Sequence, residues 1–340
     1  MRTVLVTGGA GFIGSHLVDQ LLEGGAAVRV LDNLSTGSLT NLRAAAGDHE
    51  RWTGFPNNSR LEVMIGDVRD RDLLRTALRG VKYVFHLASL PESFAPVIGS
   101  GEIHAVNVDG TLNVLHAALT EGIWRVVTTS CATVYGTPTT LPVSEESPLS
   151  PNTLFAASKV AAETYCRVFH ARHQLDTVVL RLFNVYGPRQ RTLAVDSPVP
   201  SLIEAVRQGR PFVELDDRSA GDFIYVDDVV EALLTAARAP RATGRVINVG
   251  SGEMLSISEL QRIAADLLKT SVVPGFPKTQ DSRPVQLCAR TTLASELLDF
   301  TPRVSMIAGM ARVIRSLADC EEPEHRALAQ AVRTSSSRLT

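Results

Sequence analysis

The chain has 340 residues, 44% of them hydrophobic and 21% charged, with a formal net charge of -2. That length suits one large domain with a smaller one beside it, and so weak a charge supplies no basic field to hold nucleic acid. The four cysteines, Cys131, Cys166, Cys288 and Cys320, are scattered without a CxxC pair, which argues against a bound metal or a disulfide framework and for a reducing, cytoplasmic setting.

No apolar run reaches membrane-spanning length, and Met1-Arg2 leads straight into a strand, with no room for a signal peptide. That strand, Val4–Val6, is followed by Gly8-Gly9-Ala10-Gly11-Phe12-Ile13-Gly14, which opens a helical pattern over 13–23. Each glycine has a task there. Gly8 allows a sharp turn, Gly11 lets backbone amides approach a pyrophosphate at the helix N-terminus, and Gly14 lets helix and strand pack closely. A second strand, Val28–Leu31, leads to Asp32, whose carboxylate can hold both ribose hydroxyls of an adenosine and would repel a 2′-phosphate. Strand, glycines, helix, second strand and acid, in that order, predict dinucleotide binding, with NAD favoured over NADP.

Residues 33–60 are polar and glycine-rich, with a short helix expected near 38–46. A third strand, Leu61–Ile65, ends at Gly66-Asp67-Val68, where Asp67 could meet the adenine amino group or cap a helix at 69–79. The fourth strand, Tyr83–Leu87, carries His86, which reads best as a packed core histidine. Strands at Arg125–Thr129 and Val178–Leu182 and helices at 71–79, 103–120 and 155–172 complete an alternating βα pattern. The fold class expected is α/β, a Rossmann-type doubly wound parallel sheet with a smaller α/β substrate-binding domain. After residue 185, prolines break the pattern. A helix near 200–208, a strand at 222–226, a helix begun by Asp227-Asp228 as N-caps, a strand at Val246–Val249 and helices at 256–269 and 304–319 are expected. The nucleotide-binding domain is therefore drawn as 1–185 plus 225–250 and the substrate domain as 186–224 plus 251–320. A C-terminal extension, 321–340, frays at its end.

The motifs TGGAGFIG (7–14), LDN (31–33), GDV (66–68), HLA (86–88), NVDGTLNVL (107–115), TVYG (133–136), SK (158–159), RLFNVYGP (181–188) and DFIYVDDV (222–229) follow one another. Together they resemble the extended short-chain dehydrogenase/reductases, the NAD-dependent epimerase/dehydratase group, and within it the UDP-sugar 4-epimerases. The resemblance implies a tightly held NAD contacted by Gly8, Gly11, Phe12, Ile13, Gly14, Asp32, Asn33, Asp67, Val68, Leu87, Ala88 and Lys159. It implies oxidation of the C4 hydroxyl of a nucleotide-linked hexose, UDP-linked by family habit, rotation of the ketone, and return of hydride to its other face. It also implies a homodimer formed through the helices near 103–120 and 155–172.

Family members use a Tyr-x-x-x-Lys pair as base and a Ser or Thr to hold the sugar oxygen. Lys159 fits the lysine. The hydroxyl position falls on Cys131, or on Ser130 if the alignment slips by one, and Thr133 matches a substrate-contacting threonine. The acidic pair of the 4,6-dehydratases is replaced by Ala132 and Thr133, which moves the expected chemistry away from elimination. Asn184 and Arg283 match residues that grip the substrate diphosphate. Gly221 stands where an arginine is usual, and Arg189, Arg191 or Arg218 could compensate.

Phe155 stands where the resemblance calls for the catalytic tyrosine. Three explanations are open: a tyrosine-to-phenylalanine variant made to trap a bound sugar nucleotide, an enzyme with another base, for which Cys131 as thiolate or His86 are candidates, and a protein that binds NAD and sugar nucleotide without turnover.

Overall fold

A computed structural model describes residues 3–42, 60–91, 99–190, 198–212, 220–273 and 286–319. Seven parallel strands form the main sheet: β1 (Thr3–Thr7), β2 (Ala27–Asp32), β3 (Leu61–Ile65), β4 (Val81–His86), β5 (Arg125–Cys131), β6 (Thr177–Leu182) and β9 (Val246–Val249), in spatial order β3-β2-β1-β4-β5-β6-β9. The order reverses between β1 and β4, which opens a crevice at the carboxyl ends of those strands. Successive residues of β1 alternate between two cores: Val4 and Val6 pack on one face of the sheet, Leu5 on the other. A sheet buried on both faces is why its strands read as continuous apolar runs.

Helices α1 (Phe12–Glu23) and α6 (Val226–Ala236) cover one face. The other is covered by α2 (Arg71–Leu78), α3 (100–120) and α4 (Leu154–His173). Between Ser100–His104 and Gly110–Thr120, α3 passes through a π-helical turn at Ala105–Asp109. The start of α4 is set by Thr153, whose hydroxyl accepts from the Ala156 amide at 3.1 Å. It ends at Gln174, φ 56°, after a last turn rich in His170, Arg172 and His173.

A second sheet is built around β8 (Ala220–Tyr225). It pairs in parallel with β7 (Asn184–Tyr186) and β11 (Gln286–Leu287) and antiparallel with β10 (Met254–Ser256). Among the described residues the remaining α-helices are α5 (Val199–Arg207), α7 (Ile257–Leu268), α8 (Thr292–Leu298) and α9 (Met306–Asp319). The short helix expected near 38–46 is a 3-10 turn at Leu39–Leu42 within the described residues. The boundary drawn at 185/186 falls inside β7, so the chain enters the second sheet two residues earlier, at Asn184.

Asp222 is the hub of that second sheet. It is fully buried, and its Oδ1 accepts from Ser251 N at 2.6 Å and Ser251 Oγ at 2.7 Å, its Oδ2 from Gly252 N at 2.9 Å and Ala289 N at 3.0 Å. Asp227 and Asp228 are not N-caps. The helix follows β8 without a gap and its N-cap is Tyr225, which puts both acids in the first turn, where they still favour the helix dipole. Their oxygens are occupied by the far end of the chain: Asp228 accepts from Arg303 N and Val304 N at 3.0 Å each, and Asp227 pairs with Arg312 at 3.0 Å.

Candidate active site

The glycine loop closes over the crevice. Gly8 has φ 72°, and a side chain on it would meet Ala88 N at 2.7 Å. A side chain on Gly14 would collide with the Gly8 carbonyl oxygen and come within 2.8 Å of Gly9 Cα. The α1 N-terminus begins at Gly11 with no side-chain cap, so its first amides, including those of Phe12 and Ile13, face the crevice without a side chain of the protein upon them. Asp32 Oδ2 accepts from Ala10 N at 2.9 Å and Oδ1 from Leu34 N at 2.8 Å. Each oxygen keeps a second lone pair for a ribose hydroxyl. Burial pushes this carboxyl above the usual range, and the two amides pull it back. Uncapped helix amides beside a half-satisfied carboxylate fit a dinucleotide. Gly14→Ala is expected to weaken NAD binding about 100-fold, roughly 2.7 kcal/mol, in a calorimetric titration; an unchanged affinity would place the cofactor elsewhere.

Asp67 and Asn33 meet across the rim, Asn33 Nδ2 donating to Asp67 Oδ2 at 2.8 Å. Arg69 grips the same carboxylate, Nε to Oδ1 at 2.9 Å and Nη2 to Oδ2 at 3.0 Å. Partial burial works against ionisation of Asp67, but the bonds from Arg69 and Asn33 outweigh it and lower the pKa. Asp67 does not cap the next helix. Asp70 does, accepting from Asp72 N and Leu73 N, because it lies immediately before the first helical residue. Sequence reasoning overlooked both Arg69 and this cap. Val68 is buried against Gly110 of α3, and Leu87 and Ala88 lie over Gly8.

His86 is sealed in the interior. Its Nδ1 lies 2.8 Å from Thr7 Oγ1 and its Nε2 lies 2.9 Å from Thr111 Oγ1. Thr111 already donates to the Asn107 carbonyl at 2.6 Å, so it accepts from an Nε2–H, and Nδ1 accepts from Thr7. Burial, with Lys159 adding to it, pushes the imidazole down to about 3. A neutral ring with both nitrogens occupied is not the replacement base.

The catalytic block brings β5, the turn after it and α4 together. Cys131 is half-buried and its Sγ lies 2.9 Å from Oγ1 of the exposed Thr133. Ser130 points inward, only 4% exposed, and its hydroxyl has no protein partner among the described residues. Of the two alternatives for the sugar contact, Cys131 therefore stands on the open side with Thr133. Burial pushes the Cys131 thiol up, against the pull of Thr133 and Lys159, so it stays protonated near neutral pH rather than becoming the low-pKa thiolate expected of a base. Alkylation of Cys131 by iodoacetamide should have its pH midpoint above that of a free cysteine; a midpoint below it would restore the thiolate base.

Lys159 is 7% exposed, donates to the Thr129 carbonyl at 3.1 Å, and holds its Nζ 5.6 Å from the centre of the half-buried Phe155 ring. Burial lowers its pKa, with Cys131, Glu163 and Cys166 opposing. Asn184 donates to the Asp222 carbonyl at 2.8 Å, and its amide fills the space that any side chain at Gly221 would need. Arg189 does not compensate for Gly221, because its guanidinium is drawn to Asp19 of α1 at 2.7 Å. Arg283, Arg191 and Arg218 lie outside the described residues. Among the described residues no group of three His, Cys, Asp or Glu is arranged for a metal, and no helix is long and apolar enough to cross a membrane.

Residues 4–250 match the NAD dependent epimerase/dehydratase family. The chain belongs to that family. NAD is the family's cofactor. The chain is 37% identical over 321 residues to a UDP-glucose 4-epimerase of Mycolicibacterium smegmatis, covering 92% of this chain and 97% of that one. It is 32% identical to a dTDP-glucose 4,6-dehydratase of an Actinoplanes species, covering 92% and 96%. Among solved structures it is similar to the UDP-glucose 4-epimerase of Thermotoga maritima with UDP-glucose, at TM-score 0.84 and 28% identity over 94% of this chain and 100% of that one. It is also similar, at TM-score 0.83 and 28% identity over 94% and 99%, to a tyrosine-to-phenylalanine mutant of the Bacillus cereus UDP-glucuronic acid 4-epimerase with NAD and a 4-deoxy-4-fluoro sugar nucleotide.

Proposed function

We propose that this member of the family binds NAD and a UDP-linked hexose at the β1/β4 crevice in the manner of a 4-epimerase, and that Phe155 makes its turnover slow. The observation that carries the reading is the pairing of the Cys131–Thr133 turn with a buried Lys159 whose ammonium lies beside an aromatic ring that bears no hydroxyl. NAD, when bound, would supply the acceptor for the C4 hydride and the donor for its return. Cys131 and Thr133 hold the sugar oxygen at C4, Lys159 supplies the positive charge beside it, and Asn184 is assigned to the diphosphate by its match to the family motif. With His86 neutral and enclosed and the Cys131 thiol protonated, the C4 hydroxyl proton is left to solvent.

The UDP-glucose 4-epimerases among the relatives support this substrate class. The dehydratase relatives supply a second reading, in which C4 oxidation is followed by loss of the C6 hydroxyl; Ala132 and Thr133, which offer no carboxyl acid, disfavour it. Exposed Leu119 on α3 and Tyr165 and Val168 on α4 support a homodimer through these helices. The test is an anaerobic assay of NAD reduction and of sugar-nucleotide binding across a panel of UDP-hexoses. Binding of a UDP-hexose to NAD-retaining protein with only slow interconversion at C4 is expected; free exchange of the cofactor through gel filtration, or rapid dehydration, would sink the reading.

A further inference from the structure

Behind the catalytic block lies a buried polar cluster that the chemistry above does not use. Glu163 stands four residues after Lys159 on α4 and so shares its face of the helix. Its carboxylate takes Arg181 of β6 side-on, Nε to Oε1 at 3.0 Å and Nη2 to Oε2 at 2.7 Å, with the two side chains 6% and 5% exposed. The remaining guanidinium nitrogen donates to Tyr135 Oη at 2.8 Å and to the Glu145 carbonyl at 3.3 Å. Tyr135 Oη donates in turn to Asn248 Oδ1 at 2.7 Å, and Asn248 Nδ2 donates to the Val143 carbonyl at 3.1 Å.

Tyr135 closes the turn that begins at Ala132, directly after Cys131, and Glu163 belongs to the helix that carries Phe155 and Lys159. Arg181 therefore joins the two sides of the catalytic block through a rigid, planar fork. A buried ion pair adds little net stability, because desolvation offsets much of the attraction, so fixing one geometry is the better account of it. The charges reach the site as well: Glu163 favours the charged form of Lys159 and opposes ionisation of Cys131, which Lys159 in turn favours.

We propose that Glu163, Arg181 and Tyr135 are positioning residues that set the distance and orientation between the Cys131–Thr133 turn and the Lys159 ammonium. The proposal rests on the reading that this turn and this ammonium face the sugar.

The test uses Tyr135→Phe, Arg181→Lys and the double variant Glu163→Met with Arg181→Met, each made in the full chain with and without Phe155→Tyr. In the Phe155→Tyr background, each is expected to lower kcat about tenfold or more with KM for the sugar nucleotide within about threefold. The double variant should do so without a lower Tm. A fall in Tm with kcat unchanged makes the cluster merely structural and overturns the proposal. A second readout needs no turnover: the pH profile of Cys131 alkylation, followed by peptide mass spectrometry. Tyr135→Phe and Arg181→Lys should each displace that profile, because the thiol moves relative to Thr133 and to Lys159 and Glu163 on α4. A profile unmoved in all variants overturns the proposal, whereas absent activity in Phe155→Tyr counts against the functional reading and leaves the alkylation profile to decide the positioning.

Discussion

Phe155→Tyr is expected to raise C4 interconversion of the preferred UDP-hexose by about 10²–10⁴-fold, the range a well-placed general base contributes. The ring already lies beside Lys159, with its centre 5.6 Å from Nζ. A phenol there would sit under a buried ammonium, which favours phenolate and lowers the pKa toward neutrality. The change adds one oxygen to a half-buried ring, so stability should move little. The effect should fall on kcat, with NAD and sugar-nucleotide affinities held within a few-fold. Steady-state assay of both proteins on the same panel is the check. Equal rates would mean that the chain has another base, or that position 155 does not meet the sugar.

Asp222→Ala is expected to cost about 3–5 kcal/mol, the scale for breaking a buried charged network. Four donors, from Ser251, Gly252 and Ala289, would lose the acceptor that the fully buried Asp222 carboxylate gives them, and the Ala289 amide is itself buried. The damage should concentrate in the second sheet, since those bonds hold β8 to the turn before β10 and to the residues after β11. Asp222→Asn should not rescue it, because an amide turns donors toward amides that also donate. Urea unfolding measures the loss, and limited proteolysis locates it. A midpoint within experimental error of the parent would show that other contacts carry the sheet.

The main sheet was legible because both its faces are buried, which writes each strand as a run of apolar residues and each covering helix as an amphipathic stripe. The strands β7, β10 and β11 were not, since two or three residues carry no period and each exists through pairing with β8. Asp227 and Asp228 misled for a related reason: acids near a helix start look alike in sequence whether they cap it or face a distant segment. At the site, the glycine spacing, Asp32 and the four-residue step from Phe155 to Lys159 are local and can be read directly. Arg189 and the Arg181 cluster are decided by partners far away in the chain, Asp19 for the one and Tyr135 for the other, and no local pattern announces them.

The π turn in α3 shows what a regular helix would forfeit. It inserts one residue, and one residue is about 100° of rotation. The turn thus offsets the phase of the two halves of the helix. Asn107 can then reach Leu90 and Ser158 while Thr111, one turn later, reaches His86. A single-residue deletion within 105–109 would make the hydrogen-bond ladder more orderly and yet swing everything beyond it out of register. The irregularity is a calibration of angle, and at this turn the chain length itself is constrained.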